Sequence, residues 1–133
     1  RTHEGLAPDD NLQVYSDADA AHFFAKFSAI HDSLHSYIMR TYHEIETQHL
    51  PMVRHLIIKY PDDLNVRNLD YQFMLGNDIL VIPVLGKNAK TVRGYLPAGK
   101  WQHFFTKEII ESSGEWRVFD APLGQPCVWQ CLM

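Results

Sequence analysis

From Ser16 to Gln48, apolar residues return every three or four positions, through Phe23, Phe27, Ile30, Leu34, Ile38 and Ile45. That spacing predicts a long amphipathic helix with one apolar stripe. Ser16, with Asp19 three residues on, has the form of a capping box, and Asp17 adds charge to the first turn. Pro51 stops the helix, and the stretch is long enough to expect a break near Ser33–Ser36. Then the period changes. Met52 to Tyr60 is apolar apart from Arg54, His55 and Lys59, which predicts a strand covered on both faces, as in parallel sheets and barrels. A helix feeding such a strand is a unit of a wound or barrel fold.

Beyond about Leu69 the rhythm is that of antiparallel β-structure. A turn at Gly76-Asn77-Asp78 precedes a strand from Ile79, and Pro83 suggests an edge or a bulge there. "TVRGYLP", "KWQHFFT", "EWRVFDAP" and "PCVWQCL" are short aromatic and β-branched strands. Turn clusters at 97–99, 112–114 and 122–124 separate them. Two halves are therefore expected, 1–69 and 70–133, the second a small β-sandwich.

The 133 residues are enough for one ordinary core, and the formal charge of −4 is mild. No basic stripe interleaved with aromatics marks a nucleic-acid surface. The longest apolar run, Ile79 to Leu85, is far too short to span a bilayer. As a strand, the segment holding Cys127 and Cys131 sets their Cα atoms about 13 Å apart, beyond the ~7 Å a disulfide tolerates. Two buried thiols suit a reducing, cytoplasmic setting.

Candidate chemistry is sparse. Asp9-Asp10 and Asp62-Asp63 are neighbours that splay apart, as turn residues do. His31 and His35 share a helical face, but two ligands fall short of a metal site, and none is expected. No nucleophile elbow or phosphate loop is present, and nothing calls for a cofactor. Arg54 within an apolar strand suggests a structural ion pair with an acid outside the chain. Trp101, Trp116 and Trp129 are expected in a core or interface. The most functional stretch is the opening one, "RTHEG", polar and directly before a loop and helix.

Taken in order, "RTHEG", "YSD" opening a helix, "LPMVRHLIIKYPDD", "LDYQFMLGNDILVIPVL", "YLPAGKWQHFFT" and "APLGQPCVW" resemble the C-terminal part of glycoside hydrolase family 31. The resemblance covers essentially the whole chain. It implies an α+β fragment: the last helix and strand of a (β/α)8 TIM barrel over 1–69, then an antiparallel β-sandwich, the proximal C-terminal domain, over 70–133. It also implies a retaining α-glycosidase of α-glucosidase type whose two catalytic aspartates lie upstream, so that no catalytic residue stands in this sequence. His3 matches the family histidine that hydrogen-bonds a sugar hydroxyl, Arg1 an arginine beside the pocket, and Glu4 could orient His3. The partner implied is an α-glycoside, with no nucleic acid and no membrane. The Phe23–Leu34 stripe would pack on the missing barrel or self-associate. "THEG" resembles a subgroup that includes sulfoquinovosidases, although Leu6-Ala7-Pro8 stands where that subgroup commonly has Asn-Arg-Pro. A free-standing carbohydrate-binding or interaction module is the alternative of a different class.

Overall fold

The computed structural model describes residues 13–132, which divide into two compact units between Arg40 and Thr41. In the first unit, helix α1 spans Ala18–Ser33. Its cap is Asp17, not Ser16: the Asp17 carboxylate accepts the Ala20 amide at 2.7 Å, while the Ser16 hydroxyl accepts from Gln13. An Asp at the cap satisfies an orphan amide and sets negative charge at the dipole's positive end. The helix stops at Leu34, inside the expected window, where ψ relaxes to 0° and the Ser33 hydroxyl bonds back to the Ile30 carbonyl at 2.7 Å. No residue of α1 is buried.

Helix α2 spans His35–Gln48, and its final turns from Thr41 belong to the second unit. It ends at His49, which takes a left-handed φ of 57° two residues before Pro51. The expected strand over Met52–Tyr60 is corrected here. Only Val53–Arg54 (β1) is extended, and it pairs antiparallel with β2, Phe73–Leu75. The chain then coils into two 3₁₀ turns, Leu56–Ile58 and Leu64–Val66. Side-chain acceptors cause both. His55 Nδ1 accepts the Ile57 amide at 3.1 Å and Asp63 accepts the Asn65 amide at 3.0 Å, offering the backbone a local alternative to a ladder. With Nδ1 accepting, His55 carries its proton on Nε2, which donates to the Leu69 carbonyl at 2.7 Å.

The remaining strands are β3 (Ile79–Ile82), β4 (Thr91–Leu96), β5 (Gly99–His103), β6 (Ile109–Ser112), β7 (Glu115–Asp120) and β8 (Cys127–Leu132). They form a six-stranded sheet, β1-β2-β3-β8-β5-β6, and a two-stranded ribbon, β4-β7, antiparallel throughout. A second correction concerns Pro83. Strand β3 is interior, paired on both sides, and Pro83 lies just past its end, where a missing amide costs no ladder bond. Strand β6 carried too little alternation to be read from the sequence.

Ribbon and sheet share one core, with Met74, Leu80, Ile82, Leu96, Trp101 and Trp129 fully or almost fully buried. Leu56, Val66 and Leu69 belong to it too, so the packing carries across the position at which the sequence divides into halves. The layers touch where β4 crosses β3: a Cβ on Gly94 would lie 2.5 Å from Ile82 Cδ1. The Gln72 side-chain amide extends the ribbon like a short strand, donating to the Tyr95 carbonyl at 2.7 Å and accepting its amide at 2.9 Å. Cys127 and Cys131 are both free thiols.

Candidate functional site

The candidates Arg1, His3 and Glu4, and the pair Asp9-Asp10, lie outside the described residues. His31 and His35 are exposed, and among the described residues no group of three or more His, Cys, Asp or Glu is placed to hold a metal ion. Among the described residues two polar networks and a cleft stand out, all within the second unit.

The first network centres on Arg54, only 1% exposed. Each guanidinium nitrogen has a partner: Nε donates to the Pro51 carbonyl at 2.6 Å, Nη1 to Asn77 Oδ1 at 2.6 Å, and Nη2 to the Glu44 carboxylate. Lys59 completes the cluster through the Asn77 carbonyl at 2.5 Å. One planar fork thus ties the end of α2, strand β1 and the β2–β3 turn together, a geometry that a lysine could not supply. The acid is Glu44, ten residues upstream, and not one from outside the chain; the role is structural, as the sequence suggested.

The second network joins Asp63 to Tyr95. The Tyr95 hydroxyl donates to Asp63 Oδ2 at 2.5 Å, and Asn65 donates to both groups. Burial works to raise the Asp63 pKa, but hydrogen bonds from Tyr95 and Asn65 outweigh it and hold the carboxyl below its usual value. Tyr95 is pushed up to about 12, by burial first and by the Asp63 bond second. Across the core, burial and then Cys131 and Asp78 raise the Tyr60 phenol.

The cleft holds about 340 Å³ and opens between the sheet and the ribbon, with walls from β5, β6, β7, β8 and the 104–108 turn. His103 stands in its wall, 5% exposed. Its Nδ1 accepts the Thr106 amide at 3.1 Å, which fixes the proton on Nε2; that atom is sealed from solvent without a hydrogen-bond partner. The ring packs on Trp129 at 4.9 Å. Burial lowers the His103 pKa, opposed by Glu108 and assisted by Lys107. Thr106, Glu108 and Asp120 are exposed at the mouth, with Arg117 half-buried and paired to Glu115 at 2.6 Å. Sequence reasoning passed over His103. Its signal was period two: with Trp101 inward, His103 falls on the same face.

Residues 49–130 match the glycosyl hydrolase family 31 C-terminal domain. The chain belongs to glycosyl hydrolase family 31. Among family 31 proteins it is 37% identical over 129 residues to a sulfoquinovosidase of Escherichia coli (strain K12), covering 97% of this chain and 19% of that one. It is 34% identical over 131 residues to a sulfoquinovosidase of Agrobacterium fabrum, with the same coverage. A solved family 31 sulfoquinovosidase from E. rectale, in complex with an aza-sugar inhibitor, superposes with a TM-score of 0.91 at 29% identity, covering 98% of this chain and 19% of that one. A family 31 α-xylosidase from a soil metagenome, complexed with xylose, gives 0.85 at 26% identity, over 91% and 18%. The chain therefore spans about a fifth of the length of the relatives it matches. An α+β chain built on antiparallel sheets is what the resemblance implied. Of the tryptophans, Trp101 and Trp129 are core, whereas Trp116 is 38% exposed, with Arg93 stacked on it at 4.5 Å.

Proposed function

We propose that this sequence is the closing portion of a retaining α-glycosidase, with its first part completing a (β/α)8 barrel and the part matched over 49–130 forming the proximal C-terminal domain. In that reading His3 serves the sugar pocket, with Arg1 beside it and Glu4 orienting His3, since loops after barrel strands build the site. His3 hydrogen-bonds a sugar hydroxyl, a contact that strengthens as the oxocarbenium-like transition state forms. The carboxylate pair that cleaves the bond comes from upstream, so this stretch binds but does not cleave. The observation that carries the reading is the unbroken match over 97% of the chain to a glycosidase about five times longer.

The general reading is an α-glucosidase-type enzyme. One observation favours the narrower alternative, a sulfoquinovosidase: two relatives that match along 97% of the chain carry that activity in their names. An assay of the full-length polypeptide with aryl α-glucoside and with the aryl α-glycoside of 6-sulfonated glucose tests both. Turnover of either with retained anomeric configuration supports the glycosidase reading, and the preferred substrate chooses the narrower one; turnover of neither overturns both. The 1–133 chain alone is expected to be inactive and to associate through α1. A folded, monomeric chain with saturable sugar binding would favour the free-standing module instead. Cytoplasmic residence is part of the proposal and rests on the two free thiols.

A further inference from the structure

His55 and His103 are used alike in one respect: each Nδ1 accepts a backbone amide a few residues on, Ile57 for one and Thr106 for the other. They differ at the second ring nitrogen. His55 is half-buried and its Nε2 reaches the Leu69 carbonyl, whereas Nε2 of His103 has no hydrogen-bond partner. Among the described residues His103 is the one buried histidine. Its ring lies against Trp129 of β8 at 4.9 Å and Phe105 of the turn at 6.1 Å. Its backbone closes the β5–β6 turn: the His103 amide donates to the Glu108 carbonyl at 2.8 Å, and the Lys107 amide donates to the His103 carbonyl at 3.0 Å, with Lys107 at a left-handed φ of 64°. One ring therefore fastens this turn from inside, and it fits there only as the neutral tautomer with its proton on Nε2. A second proton has to enter at Nδ1, the atom that accepts the Thr106 amide. Two N–H groups would then meet. The Thr106 hydroxyl, 3.0 Å from Nδ1, can take the new hydrogen bond, but the Thr106 amide is left without its acceptor and the imidazolium stays shut away from water.

We infer that His103 is a proton-operated latch: its neutral ring holds the 104–108 turn closed, and protonation releases ring and turn into water while the rest of the sheet stays folded. The charged groups around the ring tune this device without cancelling it. In the turn, Glu108 favours the proton and Lys107 opposes it; from β7, Arg117 and Asp120 line the same cleft with opposite signs. Trp129, the β8 residue in that cleft, carries no charge. Neither carboxylate bonds to the ring, so burial prevails and the closed turn keeps its histidine neutral. The open turn hydrates the imidazolium and titrates as an ordinary histidine, near pH 6.5. Acid therefore favours the open form. The inference stands apart from the barrel reading, since every group in it belongs to the second unit.

The test is hydrogen exchange of the full-length polypeptide, read by mass spectrometry from pH 7.5 to 5 and corrected for the intrinsic pH dependence of amide exchange. Protection of peptides covering 103–110 should fall by up to about fivefold between pH 6.5 and 5.5, the loss that one linked proton allows. Peptides covering β2 and β3 should keep theirs. Glu108→Gln, at an exposed position, removes the carboxylate that favours the proton on the closed ring, so the fall should be deeper at the acid end. His103→Asn keeps an acceptor for the Thr106 amide and takes no proton, so its profile should be flat. A flat profile in the parent overturns the inference. So do a loss of protection shared by every strand, a fall no deeper in Glu108→Gln, and a fall that persists in His103→Asn. Should His103→Asn leave the turn unprotected at every pH, the parent and Glu108→Gln profiles decide by the same criteria. Turnover of an α-glycoside plays no part in this measurement, so its outcome and that of the glycosidase assay are independent.

Discussion

Arg54 and Glu44, on either side of Pro51, form an ion pair that fastens the last turns of α2 to strand β1, with the guanidinium almost wholly buried and the carboxylate 16% exposed. Removing the arginine leaves the Glu44 carboxylate largely desolvated and without its partner. Arg54→Met should therefore cost about 3 kcal/mol or more, and Arg54→Met with Glu44→Leu should recover a good part of the loss. Urea unfolding of the single and double variants measures both. Equal stability of Arg54→Met and the parent would show that the pair does not hold the helix end.

The Tyr95–Asp63 contact gives a pH signature. A hydrogen bond to a charged acceptor is worth about 1.5–3 kcal/mol, so Tyr95→Phe should lose roughly that much at neutral pH. Because the folded carboxyl titrates below its unfolded value, its contribution is complete above the ordinary carboxylate pKa and is lost as pH falls through the lower folded value. The parent should weaken with acid over that window, and Tyr95→Phe should weaken less. Stability measured from pH 7 down to the acid limit checks the slopes.

His103 titrates the other way round from a salt-bridged histidine. Burial depresses its folded pKa, so the unfolded chain binds the proton first. Stability should be full above about pH 6.5 and fall as pH drops through and below it. Protonation would also set a second N–H against the Thr106 amide that Nδ1 now accepts. His103→Gln should flatten this part of the profile; an unchanged slope would show that another group is responsible.

Gly94 is required by the distance between layers. A Cβ there would meet Ile82 Cδ1 at 2.5 Å and Cγ2 at 2.8 Å. Gly94→Ala should cost about 1–3 kcal/mol through overpacking, and Ile82→Ala in the same chain should relieve part of it, as a thermal-unfolding cycle would read.

These particulars show what a sequence displays and what it conceals. The helix and its break were legible because Ile30, Leu34 and Ile38 keep one period while Ser33 and Ser36 weaken it. Strands β4, β5, β7 and β8 were legible through alternation and turn residues. Met52–Tyr60 was not, since an apolar run has the same appearance in a strand and in a 3₁₀ turn, and the deciding bonds come from His55 and Asp63 side chains. Arg54 stood out as a cation among apolar residues, but its partner became evident only when the chain folded back past Pro51. The cleft joins residues 103–110 to 117–120 and 129, a juxtaposition set by the sheet order, which no local pattern encodes. The sugar-site candidates came from an ordered run of family motifs.

The account is tested most directly by the kcat/KM of the full-length enzyme carrying His3→Ala, measured on its preferred α-glycoside. Loss of one hydrogen bond made in the transition state should lower kcat/KM about 100-fold with the variant still folded. A folded His3→Ala enzyme with the parent kcat/KM would contradict it.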